Sequence, residues 1–196
     1  MSLLNVNIPK GYAKFPDQYG AAPSLVAQTF SNTFVRFNPN QQIQIWQDTE
    51  IQDVKYWVAS ASATDEWYIG LYRYDYPDDK FIKATQWTAT AGQLSATGGI
   101  SLSLSSPITI QNGTYYIGVK SKDNSAGGYA DSLTGSQRQM TQYWSGSGLP
   151  NSTSGQVTGF QAPVDSSVTD LPSEILNSST TQGVFTNGQY MPFLIY

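Results

Sequence analysis

From about residue 31 onward, apolar and polar positions alternate with a period of two in one short run after another. These runs are Ile43-Gln-Ile-Trp46, Val54-Lys-Tyr-Trp-Val58, Trp67-Tyr-Ile-Gly-Leu-Tyr-Arg-Tyr74, Ile100-Ser-Leu-Ser-Leu104 and Thr114-Tyr-Tyr-Ile-Gly-Val-Lys120. Successive side chains of a strand point to opposite faces, so each run predicts a β-strand. In Ile100 to Leu104 the apolar residues share one face and the serines the other. A strand buried on one side and wet on the other belongs to an antiparallel sheet. Turn residues punctuate the runs at Pro77-Asp-Asp79, Gly98-Gly99, Ser106-Pro107, Asn112-Gly113, Asp123-Asn124 and Asn187-Gly188. Asn112-Gly113 between Ile108-Thr-Ile110 and Tyr115-Tyr-Ile117 predicts a two-residue hairpin, because Asn-Gly readily takes the positive φ angles of a type I′ turn. Many short strands at regular spacing predict an all-β fold, an antiparallel β-sandwich or jelly roll.

Residues 1–30 show neither period. They mix Leu3, Leu4, Val6, Ile8, Tyr12, Phe15 and Tyr19 with Pro9, Pro16 and Pro23, and read as an extended N-terminal arm on a sandwich of residues 31–196. Burying each large apolar side chain is worth about 1.5 to 3 kcal/mol, so the arm should dock. It can cover a sheet edge of its own domain, or dock on a neighbouring subunit through Tyr12, Phe15 and Tyr19. Residues 121–138 and 145–183 are rich in Ser, Gly, Thr and Asn and read as long loops, the second with a helical turn at Ser173-Glu-Ile-Leu176. Residues 184–196 return to strand character.

Only 12% of the 196 residues are charged, with a net charge of −4. An average soluble protein has about 25% charged residues, and near-neutral surfaces associate more readily than charged ones. That points weakly to assembly. Scattered basic residues and an acidic balance exclude a nucleic-acid partner that is held by its phosphates. No stretch approaches the roughly 18 apolar residues of a membrane span, and the N-terminus lacks a signal-peptide pattern. The expectation is a protein made in the cytoplasm, with no membrane partner.

The sequence has neither His nor Cys. Ser-His-Asp and Cys-His catalysis and Cys- or His-bound zinc therefore cannot be assembled, and no cofactor or metal is expected. A pair of carboxylates cleaving a glycosidic bond is the remaining enzymatic option. Asp48 with Glu50, and Asp65 with Glu66, are the pairs considered; the plainer reading makes them solvated charges at turns. Asp75, Asp78 and Asp79 likewise read as turn residues and not as a calcium loop. The expectation is therefore no catalytic residue and no enzyme. Aromatics offer more. Tyr72, Tyr74 and Tyr76 share one face if the alternation holds, and Tyr74, Tyr76, Tyr129 and Trp144 are candidates for stacking on a glycan or anchoring a partner. The alternative for each is packing inside the sandwich.

The strand pair Trp67-Tyr-Ile-Gly-Leu-Tyr-Arg-Tyr-Asp75 and Ile110-Gln-Asn-Gly-Thr-Tyr-Tyr-Ile-Gly-Val-Lys120 resembles a pattern in bacteriophage virion β-sandwich proteins similar to carbohydrate-binding modules. The resemblance covers roughly residues 51–120, with the apolar C-terminal strand as a further echo. It implies a non-enzymatic virion protein: a capsid decoration (cement) protein, or the head domain of a tail fibre binding host surface glycans. The chain has no shaft repeat, which favours the first. The implied partners are copies of itself, as a homotrimer, with the major capsid protein or other virion proteins; surface glycans belong to the second reading.

Overall fold

The computed structural model describes residues 24–37, 43–132, 157–185, 189–190 and 194–195, and at several strand ends the backbone alone. The strands are β1 (Ser24–Thr29), β2 (Phe34–Phe37), β3 (Ile43–Ile45), β4 (Thr49–Ser60), β5 (Trp67–Asp75), β6 (Lys80–Ala89), β7 (Gly98–Ile110) and β8 (Gly113–Ser121). They continue as β9 (Gly127–Ser132), β10 (Val157–Pro163), β11 (Glu174–Leu176), β12 (Thr181–Phe185), β13 (Gln189–Tyr190) and β14 (Leu194–Ile195). A single helical turn, α1 (Ala91–Leu94), links β6 to β7.

Two antiparallel sheets result, as the alternation predicts. In the first, β1, β9 and β4 lie side by side, with β7 and β14 on β4 and β13 on β9. The second runs β11-β6-β5-β8-β2-β10-β12, with β3 also on β8. Between the sheets lie Val54, Tyr56 and Val58 of β4, Leu102 of β7, Trp67, Ile69 and Leu71 of β5, and Tyr115, Ile117 and Val119 of β8. One residue out of step moves a side chain to the opposite face. In β6 that step is built in. Leu71 pairs with Thr85 and Tyr72 with Lys83, which leaves Ala84 as a bulge. Phe81 therefore packs outside the sheet, while Trp87 and Ala89, also odd-numbered, pack inside. Trp87 donates its indole N–H to Gln52 O at 2.9 Å, beside a register break in β4.

Several sequence expectations change. Ser24–Thr29, within the stretch read as an arm, is a strand paired with β9, and Phe30 is buried edge-on to Trp67, 4.9 Å between rings. Tyr12, Phe15 and Tyr19 lie outside the described residues. Asn112-Gly113 does not close a hairpin: β7 pairs with β4, and β8 with β5, β2 and β3. The two residues carry the chain from one sheet to the other. The hairpin is instead β5–β6, closed by Tyr76 to Asp79 with Asp79 at φ 49°. Gly98-Gly99 and Ser106-Pro107 fall inside β7 and not at turns. The loop expected over 121–138 holds β9, and that over 145–183 holds β10, β11 and β12. Ser173 to Leu176 is not a helical turn but leads into β11, with a 3-10 turn following at Asn177–Ser179. These strands lie in stretches rich in Ser, Gly, Thr and Asn. Gly128 of β9 must be small, since any Cβ there would collide with the Tyr56 ring.

Candidate functional site

The ionisable side chains of the described residues are mostly fasteners. Asp65 and Glu66 were candidates for a carboxylate pair or for solvated turn charges, and Asp65 is neither. It is fully buried. Its Oδ1 accepts the backbone N–H groups of Glu66 (2.8 Å), Lys122 (3.0 Å) and Asp123 (3.1 Å). Its Oδ2 accepts those of Ser125 (3.0 Å) and Ala126 (2.7 Å), and the Ser121 hydroxyl donates to the carboxylate at 2.7 Å. The carboxylate thus organises the turn between β8 and β9 and has no open lone pair for substrate or metal. Glu66 accepts from Tyr68 Oη (2.8 Å) and Lys122 Nζ (2.9 Å), and these donors hold its carboxyl below the usual range. Asp48 is exposed and accepts from the Asn112 N–H; Glu50 is exposed. Among the described residues no group of three or more acidic, His or Cys side chains converges on a metal position.

The second fastener is Lys120, buried on the outer face of the second sheet. Its ammonium donates to Ser121 O (3.3 Å), Ser166 O (3.0 Å) and Val168 O (2.9 Å) and lies 5.3 Å from the Tyr68 ring centre. Burial lowers its pKa, and Asp165 and Asp65 partly oppose that. The carbonyls it holds belong to a strap, residues 164–176, laid across the outer face. Gln86 grips the strap twice, donating to Thr169 O (2.9 Å) and accepting the Leu171 N–H (2.8 Å). Tyr72 Oη donates to Pro172 O at 3.0 Å, and Lys83 donates to Asp170 (2.6 Å) and to Leu171 O. The strap inserts Leu171 and Ile175 into a second apolar cluster with Val35, Phe37, Tyr68, Tyr72, Phe81 and Ala162. Gly70 and Gly118 pair across β5 and β8 beneath it. A Cβ on Gly118 would come within 2.8 Å of both Val35 and Phe37, and one on Gly70 within 3.0 Å of Leu171.

Past the strap the cluster opens to solvent. Phe37, Phe81 and Phe160 stack with near-parallel rings 4.9 to 5.1 Å apart, and half-buried Tyr74 and Tyr116 border them. Tyr72 and Tyr74 share the outer face of β5, buried and half-buried, while Tyr76 falls in the hairpin turn and is 67% exposed. The Tyr76 ring stands edge-on to Tyr74, 4.7 Å between centres. Tyr74 Oη donates to Asp79, whose carboxylate also accepts Asn177 Nδ2 at 3.0 Å. That bond to Asp79, more than burial, raises the Tyr74 pKa to about 12. Asp78 pairs with Lys80 at 3.1 Å at the same hairpin tip, so the acidic cluster is turn structure.

Two further aromatics stand in water where the sequence marked ordinary strand positions: Trp46 is 75% exposed and Trp57 52%. Alternation alone could have placed Trp57 outside, since it lies between the inward Tyr56 and Val58. Tyr129 is in β9, paired with Ala27, with its side chain outside the description; Trp144 lies outside the described residues. No helix of the described residues is long and apolar enough to cross a membrane. Comparison with family models, curated proteins and solved structures gives no match.

Proposed function

We propose that this chain works without catalysis, as a structural protein that ties protein surfaces together, of the type of a phage capsid decoration protein. The observation that carries the reading is the exposure of Trp46, Trp57 and Tyr76 on a chain with 12% charged residues. Large aromatics are enriched where proteins meet, and little charge opposes association here. The engagement of Asp65 and Lys120 in holding their own chain supports it, because groups saturated by backbone partners are not available for proton transfer. The proposed partners are copies of the chain and the capsid subunits of a virion. Acrylamide quenching of tryptophan fluorescence tests this, with Trp46→Phe and Trp57→Phe assigning the signal. Quenching should fall as the full chain is concentrated; quenching that stays constant at every concentration overturns the reading.

A second reading has one specific observation behind it. Tyr76 offers a ring beside the polar rim of Asp79, Asn177 and Lys80, as a pyranose requires. Binding on a glycan array that Tyr76→Ala abolishes would establish it; a silent array removes it.

A further inference from the structure

Strand β7 is a sheet edge of unusual chemistry. Among the described residues it pairs with β4 and with no other strand. Natural edges are commonly guarded by charge, proline or bulges, because unpaired N–H and C=O groups template another strand. In β7 the guard covers one half only. Pairing with β4 jumps from Ile108 to Ser103, so residues 104–107 bulge, and Pro107 lacks an N–H. The other half, Gly98 to Ser103, pairs regularly and has no guard. No Asp, Glu, Lys or Arg occurs anywhere in residues 84–119. The inter-sheet core also runs out at this strand without being sealed: Ile100 and Leu104 pack on it but stay partly exposed, flanking buried Leu102.

We infer that this edge pairs with the same edge of a second copy, antiparallel, about a two-fold axis through Leu102. The inference rests on the assembly reading above and names its interface. The sequence is self-complementary in this register. Leu102 meets Leu102 of the other copy, Ile100 meets Leu104, and Ser101 meets Ser103. The strand alternation then keeps all apolar residues on the core side and joins the two cores. Opposite the other copy's bulge at Ser105 and Ser106 come Gly99 and Gly98, which carry no side chain to obstruct it.

The charges of the adjacent strand agree with this register at long range. Asp53 lies beside Ser103 and Lys55 beside Ser101. Pairing about Leu102 sets Asp53, Ser103, the other copy's Ser101 and its Lys55 in one row, and the reverse order in a second row. Both rows end in opposite charges. Moving the axis to Ser103 would put Asp53 in a row with the other Asp53, and moving it to Ser101 would align Lys55 with Lys55. Trp57 completes the surface. Its ring lies over Gly99, 3.5 Å from where a Cβ would stand, and so reaches over β7 toward the edge.

A charge swap on two exposed serines tests this. Ser101→Lys with Ser103→Lys places Lys opposite Lys twice in the pair, and Ser101→Glu with Ser103→Glu places Glu opposite Glu; like charges directly opposite are destabilising. The parent should run in light scattering at twice the 21.4 kDa chain mass, or an even multiple of it. Each double variant should have half the parent's mass, with an unchanged circular dichroism spectrum. An equal mixture of the two should recover the parent's mass, because each Lys then faces a Glu. A self-associating parent whose mass survives both substitutions, or a mixture that stays at half mass, overturns the β7 interface and leaves the assembly reading standing. A parent that is monomeric at every concentration overturns both.

Discussion

Replacing Asp65 by Asn would remove one charge and one acceptor atom from a place that tolerates neither. The side chain is fully buried and accepts five backbone N–H groups and the Ser121 hydroxyl. With the amide oxygen kept at Oδ1, the new NH₂ at Oδ2 faces the N–H groups of Ser125 and Ala126, donor against donor. Two buried donors then lose their acceptor, each at a cost of about 1 to 3 kcal/mol. The remaining bonds weaken as well, because the acceptor is no longer ionised. Allowing for relaxation, we expect a loss of about 3 kcal/mol, against a typical stability of about 5 to 15. For a chain of this size that lowers the melting temperature by about 6 to 12 °C. Scanning calorimetry of Asp65→Asn beside Asp78→Asn, an exposed carboxylate at a hairpin tip, measures it. A loss no greater than the Asp78 control would refute the claim that Asp65 organises the β8–β9 turn.

Other expectations follow from the same geometry. Gly118→Ala drives a methyl group into Val35 and Phe37 and should cost about 1 to 3 kcal/mol in urea unfolding, as overpacking does; a neutral result would mean that the outer face of the second sheet is loosely packed. Lys120→Met leaves Ser166 O and Val168 O without their donor, so amide exchange should rise across residues 164–173 while β5 and β8 stay protected; uniform exchange would show that the strap does not depend on Lys120. Tyr68 has its pKa raised to about 12, first by burial and then by its bond to Glu66, and Tyr74 is raised to about 12 by Asp79. Both stay protonated in the fold above the 10.0 at which the unfolded chain ionises, so the stability they contribute is intact below pH 10 and is lost as pH climbs toward 12. Phenolate absorbance compared among the parent, Tyr68→Phe and Tyr74→Phe should place the ionisation of these two well above pH 10, and their ionisation near pH 10 in the folded chain would contradict the assignment.

The architecture was legible where side-chain alternation is strong. The runs at Trp67–Asp75 and Thr114–Lys120 became β5 and β8, and the Ser/Leu run became β7, because a half-buried strand must alternate. What failed was pairing. Asn112-Gly113 has the local chemistry of a hairpin, yet whether the next strand turns back or crosses to the other sheet is decided by the core, through Tyr115 and Ile110, and not by the turn. The strands from β9 to β12 escaped notice because they lie in stretches rich in Ser, Gly, Thr and Asn without sustained alternation; Gly128 of β9 is small because it lies beneath Tyr56. Asp65 looked like a surface charge because its partners, residues 121–126, lie more than fifty positions along the chain. The graded exposure of Tyr72, Tyr74 and Tyr76 was half legible. Alternation put Tyr72 and Tyr74 on one face, but only the strap, with Leu171 and Ile175, decides which of the two is covered.

Whether the protein works by joining surfaces can be read from sedimentation equilibrium of the chain over a broad concentration range. The mass should be a whole multiple of 21.4 kDa and fall toward one chain on dilution. A single chain mass at all concentrations would contradict a surface-joining role.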